Sequence, residues 1–315
     1  MHFTVDLSKE EPSDWKQFLL KSEIGTIYHT AEYAEYAEKW LKWKPLFFRL
    51  IDSRGSILLQ NLSFEYSRPL TKIPLVFRPL IQKFIKNVRW NYGPVTESPD
   101  AMMYFFEYLR STKKQIYGMT HPLMKLPVTN FKKKKWGTFL IDLHQEKEFL
   151  YENLEKNSAQ KNIERSIERG VSIEKLDEKS LNEYYELLKN SKNPQRKGNS
   201  DDNAMYDFWR SLSKVGFTGF LARKNGILVG GLLFSYFNKY VNEWGVARSE
   251  LDIKEKLYSQ DLIKWKILEW GIENKMNWYD LTGFNPNPTS KKEEGLLRYK
   301  KKWGGKQYDI WIITR

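Results

Sequence analysis

Residues Tyr279–Lys306 read YDLTGFNPNPTSKKEEGLLRYKKKWGGK, and the segment changes character three times. It opens on Tyr279-Asp280-Leu281, which reads as a buried strand. Asn285-Pro286-Asn287-Pro288 then breaks the strand, because proline fixes its own φ and pushes its predecessor out of the helical region. A lysine-rich helix follows, and Gly304-Gly305 stops it. Two readings stay open. The segment is a loop–helix crossover between sheet strands with its basic residues in water. Alternatively it is the wall of a site, with a stiff loop at the mouth, Lys300 turned inward and the glycines allowing a sharp return.

Working outward, Tyr258–Lys275 has Leu262, Trp265, Leu268 and Ile272 at helical spacing. Phe217–Ala247 reads as three strands joined by turns, two of them almost wholly apolar or aromatic and therefore buried. Further upstream lie a strand at 138–144, a helix over 146–170 ending on Gly170, a strand at 171–176 and a helix over 179–191. Residues 306–314 close as a strand. This order fits a mixed α/β sheet with helices on both faces. The first half is a shorter version: a helix near 12–21, a helix from 31 with Thr30 as N-cap, a hairpin of Pro45–Asp52 with Ser56–Tyr66, a strand through Val88 and a helix from Ser98. Four consecutive lysines, Lys132–Lys135, disfavour a packed element and mark an exposed crossing. The expected division is therefore a first domain over 1–135 and a second over 136–315.

The chain has 315 residues, 41% hydrophobic and 15% aromatic, which is ample for two cores and argues against disorder. Its formal net charge of +13 points to a polyanionic partner, or else to a lysine-rich solvated surface. Cys 0 excludes disulfides, thiol catalysis and zinc-thiolate sites. The four histidines, His2, His29, His121 and His144, show no ligand spacing, so no metal is expected. The start of the sequence lacks a basic region followed by an apolar run. The longest apolar run, Gly226–Phe234, is too short to span a bilayer. A cytoplasmic monomer is the expectation.

Several segments together resemble the Fem family of peptidoglycan interpeptide-bridge aminoacyltransferases and, more broadly, tandem GNAT-fold acyltransferases. They are SAQKNIERSIERGVSIE at 158–174, the YDLTGFNPNP and GLLRYKKKWGG parts of the opening stretch, NYGPVTE at 91–97 and IYHTAEYAEYAEKW at 27–40. The resemblance implies two tandem GNAT-like domains, each a mixed sheet flanked by helices, and transfer of an acyl group to an amine. In the Fem family the donor is aminoacyl-tRNA and the acceptor is an amine on a peptidoglycan precursor. Relatives use acyl-CoA, which a GNAT domain holds with a glycine-rich pyrophosphate loop at a helix N-terminus. The matching stretch here, ARSELDIKEKLYSQDLI, has no glycine. The long helical arm of some Fem proteins is also absent.

The resemblance places Lys300 at the family's lysine position, where it would stabilise developing negative charge, with Tyr299 and Asn285 as substrate-binding neighbours. Its alternative is a solvated run of Lys300, Lys301 and Lys302. Lys161, Arg165 and Arg169 share a helical face and form either a phosphate clamp or pairs with Glu164 and Glu168. Glu97 is a candidate base for the amine proton, or a favourable charge at a helix N-terminus. Gly230 and Gly231 permit close approach of a donor, or of a neighbouring element. An acyl-CoA donor would lean on Lys254 and Lys256 instead of glycine amides. A phosphate-bearing amine is the expected acceptor, with no tightly bound cofactor. A non-catalytic RNA- or glycan-binding protein on the same fold stays as the third reading.

Overall fold

The computed structural model describes residues 3–67, 87–125, 129–191 and 202–315. The chain forms two compact units, Met1–Gly137 with Tyr308–Arg315, and Thr138–Gln307. A division at 135/136 does not foresee the return of Tyr308–Arg315 to the first unit.

The first unit opens with β1 (Phe3–Ser8), α1 (Trp15–Lys21) and α2 (Ala31–Tyr36), the last continued by a looser π turn over Ala37–Leu41. Thr30 caps α2 as expected, its hydroxyl accepting the Tyr33 amide at 3.3 Å. β2 (Lys44–Asp52) and β3 (Ile57–Tyr66) form the hairpin. Asp52 closes its turn by accepting the Arg54 and Ser56 amides, each at 2.9 Å, around Gly55 at φ 82°. β4 (Asn87–Trp90) leads through α3 (Pro99–Ser111) to β5 (Gln115–Met119), which lies parallel to β4. The apolar face of α3, with Phe105 fully buried, covers Phe48, Trp90 and Ile116. β12 (Lys306–Thr314) closes this sheet, antiparallel to β5, in the order β1-β2-β3-β4-β5-β12.

β6 (Lys132–Asp142) leads into the second unit. This corrects the reading of the lysine run as a crossing. Lys132–Lys135 are the exposed start of a strand, where side chains stand in water while the backbone pairs. α4 (Lys147–Glu152) and α5 (Lys161–Glu168) replace the single expected helix over 146–170. Glu155, at ψ 114°, breaks it, and a π turn over Lys156–Gln160 restarts it. β7 (Val171–Lys175), α6 (Leu181–Asn190), α7 (Asp202–Ser213), β8 (Phe217–Lys224), β9 (Ile227–Phe237), β10 (Tyr240–Arg248), α8 (Glu250–Lys254), α9 (Ser259–Glu273), β11 (Trp278–Asp280) and α10 (Lys291–Lys301) follow. The sheet order is β6-β11-β10-β9-β8-β7. β7 to β10 are antiparallel, and α9 returns the chain to lay β11 parallel to β10.

Both units thus share a pattern: an antiparallel run, a helical crossover to a parallel strand, and a closing strand. The closing strands are exchanged. In sequence β5 is followed by β6 and β11 by β12, yet β5 pairs with β12 and β11 with β6.

Candidate active site

The parallel pairing of β10 with β11 ends at Asn242↔Asp280, and β10 carries an irregularity between Glu243 and Gly245 just beyond it. Where parallel strands part, their carboxyl ends leave a crevice for ligands. Charged side chains gather there, most of them out of water.

Asp280 fixes the parting point. Its carboxylate accepts from Tyr240 at 2.7 Å, Asn242 at 2.8 Å, the Thr282 amide at 2.7 Å and the Thr138 hydroxyl, tying β11 to both flanking strands. Thr282 sits at φ 64°, a strained conformation for a β-branched residue. Lys300 spans this turn from α10. It is 6% exposed, and its ammonium donates within the carbonyls of Leu281 at 2.6 Å, Thr282 at 2.9 Å and Gly283 at 3.1 Å, with the Thr282 hydroxyl at 3.2 Å. Burial lowers its pKa to about 8, against the pull of Glu243 and Asp280. The inward reading of Lys300 holds, and carbonyl oxygens hold it there.

Two ion pairs lie nearby. Lys264 binds Glu243, which also accepts from the Tyr279 hydroxyl, and Lys302 binds Asp261. The four charged residues are 3% to 9% exposed. Tyr299 stands beside both pairs, with the Lys302 ammonium 4.5 Å and the Lys264 ammonium 5.7 Å from its ring centre. Burial, reinforced by Asp261 and Glu243, holds the Tyr299 phenol well above its ordinary pKa. Burial also raises Asp261, although Lys302 opposes it. Lys302 is therefore no part of a solvated run.

The loop of Asn285-Pro286-Asn287-Pro288 is held from α10. Glu293 accepts the Thr289 amide at 2.7 Å and the Asn285 side-chain amide at 3.3 Å, and Asn285 in turn accepts the Asn287 amide at 3.1 Å. Asn285 thus spends its side chain on the loop itself. The double glycine has a packing cause as well as a turning one. A Cβ on Gly304, at φ 73°, would meet the Asn153 carbonyl at 2.7 Å, and one on Gly305 the Leu140 carbonyl at 2.9 Å.

Between β10 and α9, where a glycine-rich loop would cradle a pyrophosphate, a carboxylate does the organising. Asp252 is fully buried, pairs with Arg248 and accepts the Ser259 amide at 2.9 Å, the first of α9. Lys254 and Lys256 are exposed beside it. Arg165 and Arg169 converge on the Tyr258 ring, at 5.9 and 5.4 Å, and Arg169 also binds the Lys256 carbonyl. Lys161 turns to Asn157 on its own segment, at 3.2 Å. Arg165, Arg169 and Lys256 thus share a neighbourhood that Lys161 does not join through any of these contacts. The two β9 glycines meet packed side chains. A Cβ on Gly230 would lie 2.4 Å from the Ser259 hydroxyl, and one on Gly231 2.6 Å from the Tyr184 ring.

Glu97 lies in the first unit, exposed, just before the Ser98 cap of α3. It lines two cavities of about 600 Å³ and 390 Å³ with Ser22 and Thr96.

Sequence reading missed Glu243, Asp261, Lys264, Asp280 and Lys302. No local signal marked Asp261 and Lys264: α9 also carries Lys266, Glu269 and Glu273, which are not buried, so only the fold separates the two sets. Among the described residues no cluster of His, Asp or Glu could hold a metal, and no helix is long and apolar enough to cross a membrane.

No family model and no curated protein matches the sequence. The fold does have relatives among solved structures. The chain superposes on FemX with a TM-score of 0.70 at 12% identity, covering 98% of this chain and 97% of FemX. For L-PGS from Bacillus licheniformis the TM-score is 0.61 at 12% identity, covering 97% and 92%. For a tandem GNAT protein from the clavulanic acid biosynthesis pathway it is 0.52 at 10% identity, covering 99% and 98%. At such identities the likeness is one of fold: the expected Fem-like, tandem GNAT architecture is present over both units.

Proposed function

We propose that this chain is an acyltransferase that moves an aminoacyl group from aminoacyl-tRNA to an amine, with the chemistry in the second unit. The fold supports acyl transfer only in general, since fold and chemistry are loosely coupled. The observation that carries the choice of donor is the N-terminus of α9. Its first amide is taken by the buried Asp252 carboxylate, which is also paired with Arg248, so that amide is not free to cradle a CoA pyrophosphate. An aminoacyl-tRNA places no pyrophosphate at that helix, and its polyanionic backbone suits a chain of net charge +13.

In this reading a neutral amine attacks the ester carbonyl of the donor. A C–N bond forms, the ester C–O bond breaks, and the ribose hydroxyl leaves with a proton while the amine loses one. Lys300 and the Leu281–Gly283 turn that it holds supply positive charge and fixed geometry where the oxyanion develops. Arg165 and Arg169, gathered at Tyr258, are the proposed phosphate contacts. The acceptor class implied by the Fem resemblance is an amine on a phosphate-bearing, peptidoglycan-precursor-like peptide.

The test is a titration of the purified protein with charged tRNA, uncharged tRNA and acetyl-CoA at two salt concentrations, followed by transfer to a lysine-containing peptide. We expect preference for charged tRNA, no saturable CoA binding and product formation. Saturable CoA binding that is lost when Lys254 and Lys256 are replaced would overturn the choice of donor. RNA affinity without any transfer would overturn the enzyme reading.

A further inference from the structure

A second site lies in the first unit, on the sheet face that carries Arg89. Arg89 is in the middle of β4, directly opposite Phe64 on β3 and Tyr117 on β5. Its guanidinium carbon is 4.0 Å from the Trp43 ring centre, 5.6 Å from that of Tyr117 and 5.9 Å from that of Tyr66. All four residues are half-buried, so this aromatic cage reaches the surface. Aromatic rings occupy the faces of the guanidinium and leave its in-plane N–H groups.

The Arg89 Nε is out of water without a hydrogen bond, and among the described residues no carboxylate pairs with this side chain. The sequence from Ser67 to Lys86, which joins β3 to β4, contains no Asp or Glu at all. A guanidinium N–H buried without an acceptor is costly, and native proteins rarely keep one without use. A second orphan lies on the same face two residues away. Asn87 is 1% exposed; its amide nitrogen donates to the Tyr66 carbonyl at 3.1 Å, while its Oδ1 is buried and unpartnered.

We propose that Arg89 and Asn87 form a binding site for the carboxyl terminus of a peptide or acylated amino acid. The two carboxylate oxygens would take the fork of Arg89, as planar bidentate partners do. The amide N–H beside that carboxylate would supply the donor that Asn87 Oδ1 lacks. Inorganic phosphate satisfies the guanidinium but has no neighbouring amide. The inference concerns the first unit alone and does not rest on the transferase reading, since direct binding tests it.

The experiment is calorimetric titration of the full chain with N-acetylglycine, its methyl ester and inorganic phosphate, repeated on Arg89→Met and Arg89→Lys. Saturable binding of the acid is expected, with the ester at least about ten-fold weaker and phosphate weaker than the acid. Arg89→Met should lose about ten- to hundred-fold in affinity, and Arg89→Lys, which keeps the charge without the fork, should fall between. Thermal unfolding of each variant is followed in parallel, and if Arg89→Met does not fold, Arg89→Lys decides. Equal binding of acid and ester, unchanged affinity in the folded variants, or binding of phosphate alone would each overturn the assignment.

Discussion

Lys264 and Glu243 are almost fully out of water and satisfy each other, so removing one leaves the other stranded. Lys264→Met should cost about 3–5 kcal/mol in denaturant unfolding, and adding Glu243→Gln should recover most of it. A single-mutant loss below about 1 kcal/mol would mean that the pair is not held as described. Lys300→Met should abolish most transfer, and in the parent protein activity that needs the ammonium should decline as pH rises through about 8. A rate that stays flat to pH 9.5 would remove the charged form of Lys300 from the mechanism. In the first unit His29 is fully buried, and burial lowers its pKa to about 3. Its folded pKa is depressed, so the unfolded chain takes up the proton first as pH falls. Stability is then complete above about pH 6.5 and is lost toward pH 3 at about 1.4 kcal/mol per pH unit for this ring. His29→Gln should flatten that slope in urea titrations across pH. At this scale the resemblance to Fem proteins pointed to Lys300, after Tyr299, and the structure buries that side chain, but no pattern pointed to the acids and lysines around it. Glu243 and Lys264 are distant in sequence, and only the fold makes them partners.

Elements were far more legible, because burial leaves a period in the sequence. The Pro45–Tyr66 hairpin, the α3 and α9 faces and the β8–β10 run all lie where their apolar spacing put them. The failures have local causes. Lys132–Lys135 looked like a crossing because charge was read as absence of structure, whereas a strand with one wet end needs only backbone pairing there. Glu155 gave no warning of a break, since nothing in its side chain forbids a helix. β9 shows a strand that needs a glycine for packing alone. Gly230 lets the start of α9 lie against the strand, so Gly230→Ala should push Ser259 away and cost about 1–3 kcal/mol, measured by thermal or chemical unfolding. If Gly230→Ala is neutral, the contact is looser than the 2.4 Å approach implies.

For the whole molecule, length and composition suggested two domains, and the two units follow that outline. What no local pattern could show is the exchange of closing strands, because β5 and β12 carry nothing in sequence that names the other. A chain ending at Gly305 lacks β12, with the buried Ile310 and Ile313. Hydrogen exchange should then speed up in β4 and β5, while β8 to β10 keep their protection; a peptide of residues 306–315 should restore the first two. Undisturbed β5 amides in the truncated chain would show that the first unit is complete without β12. The exchange also sets an order of events on the ribosome. β5 leaves the exit tunnel long before its partner exists, and at about 5–20 residues per second the wait lasts roughly 10 to 40 seconds. For that interval the nascent first unit offers an open strand edge, the kind of surface that pairs with the wrong chain. A growing polypeptide of this design therefore has reason to meet a chaperone before it meets its own last strand.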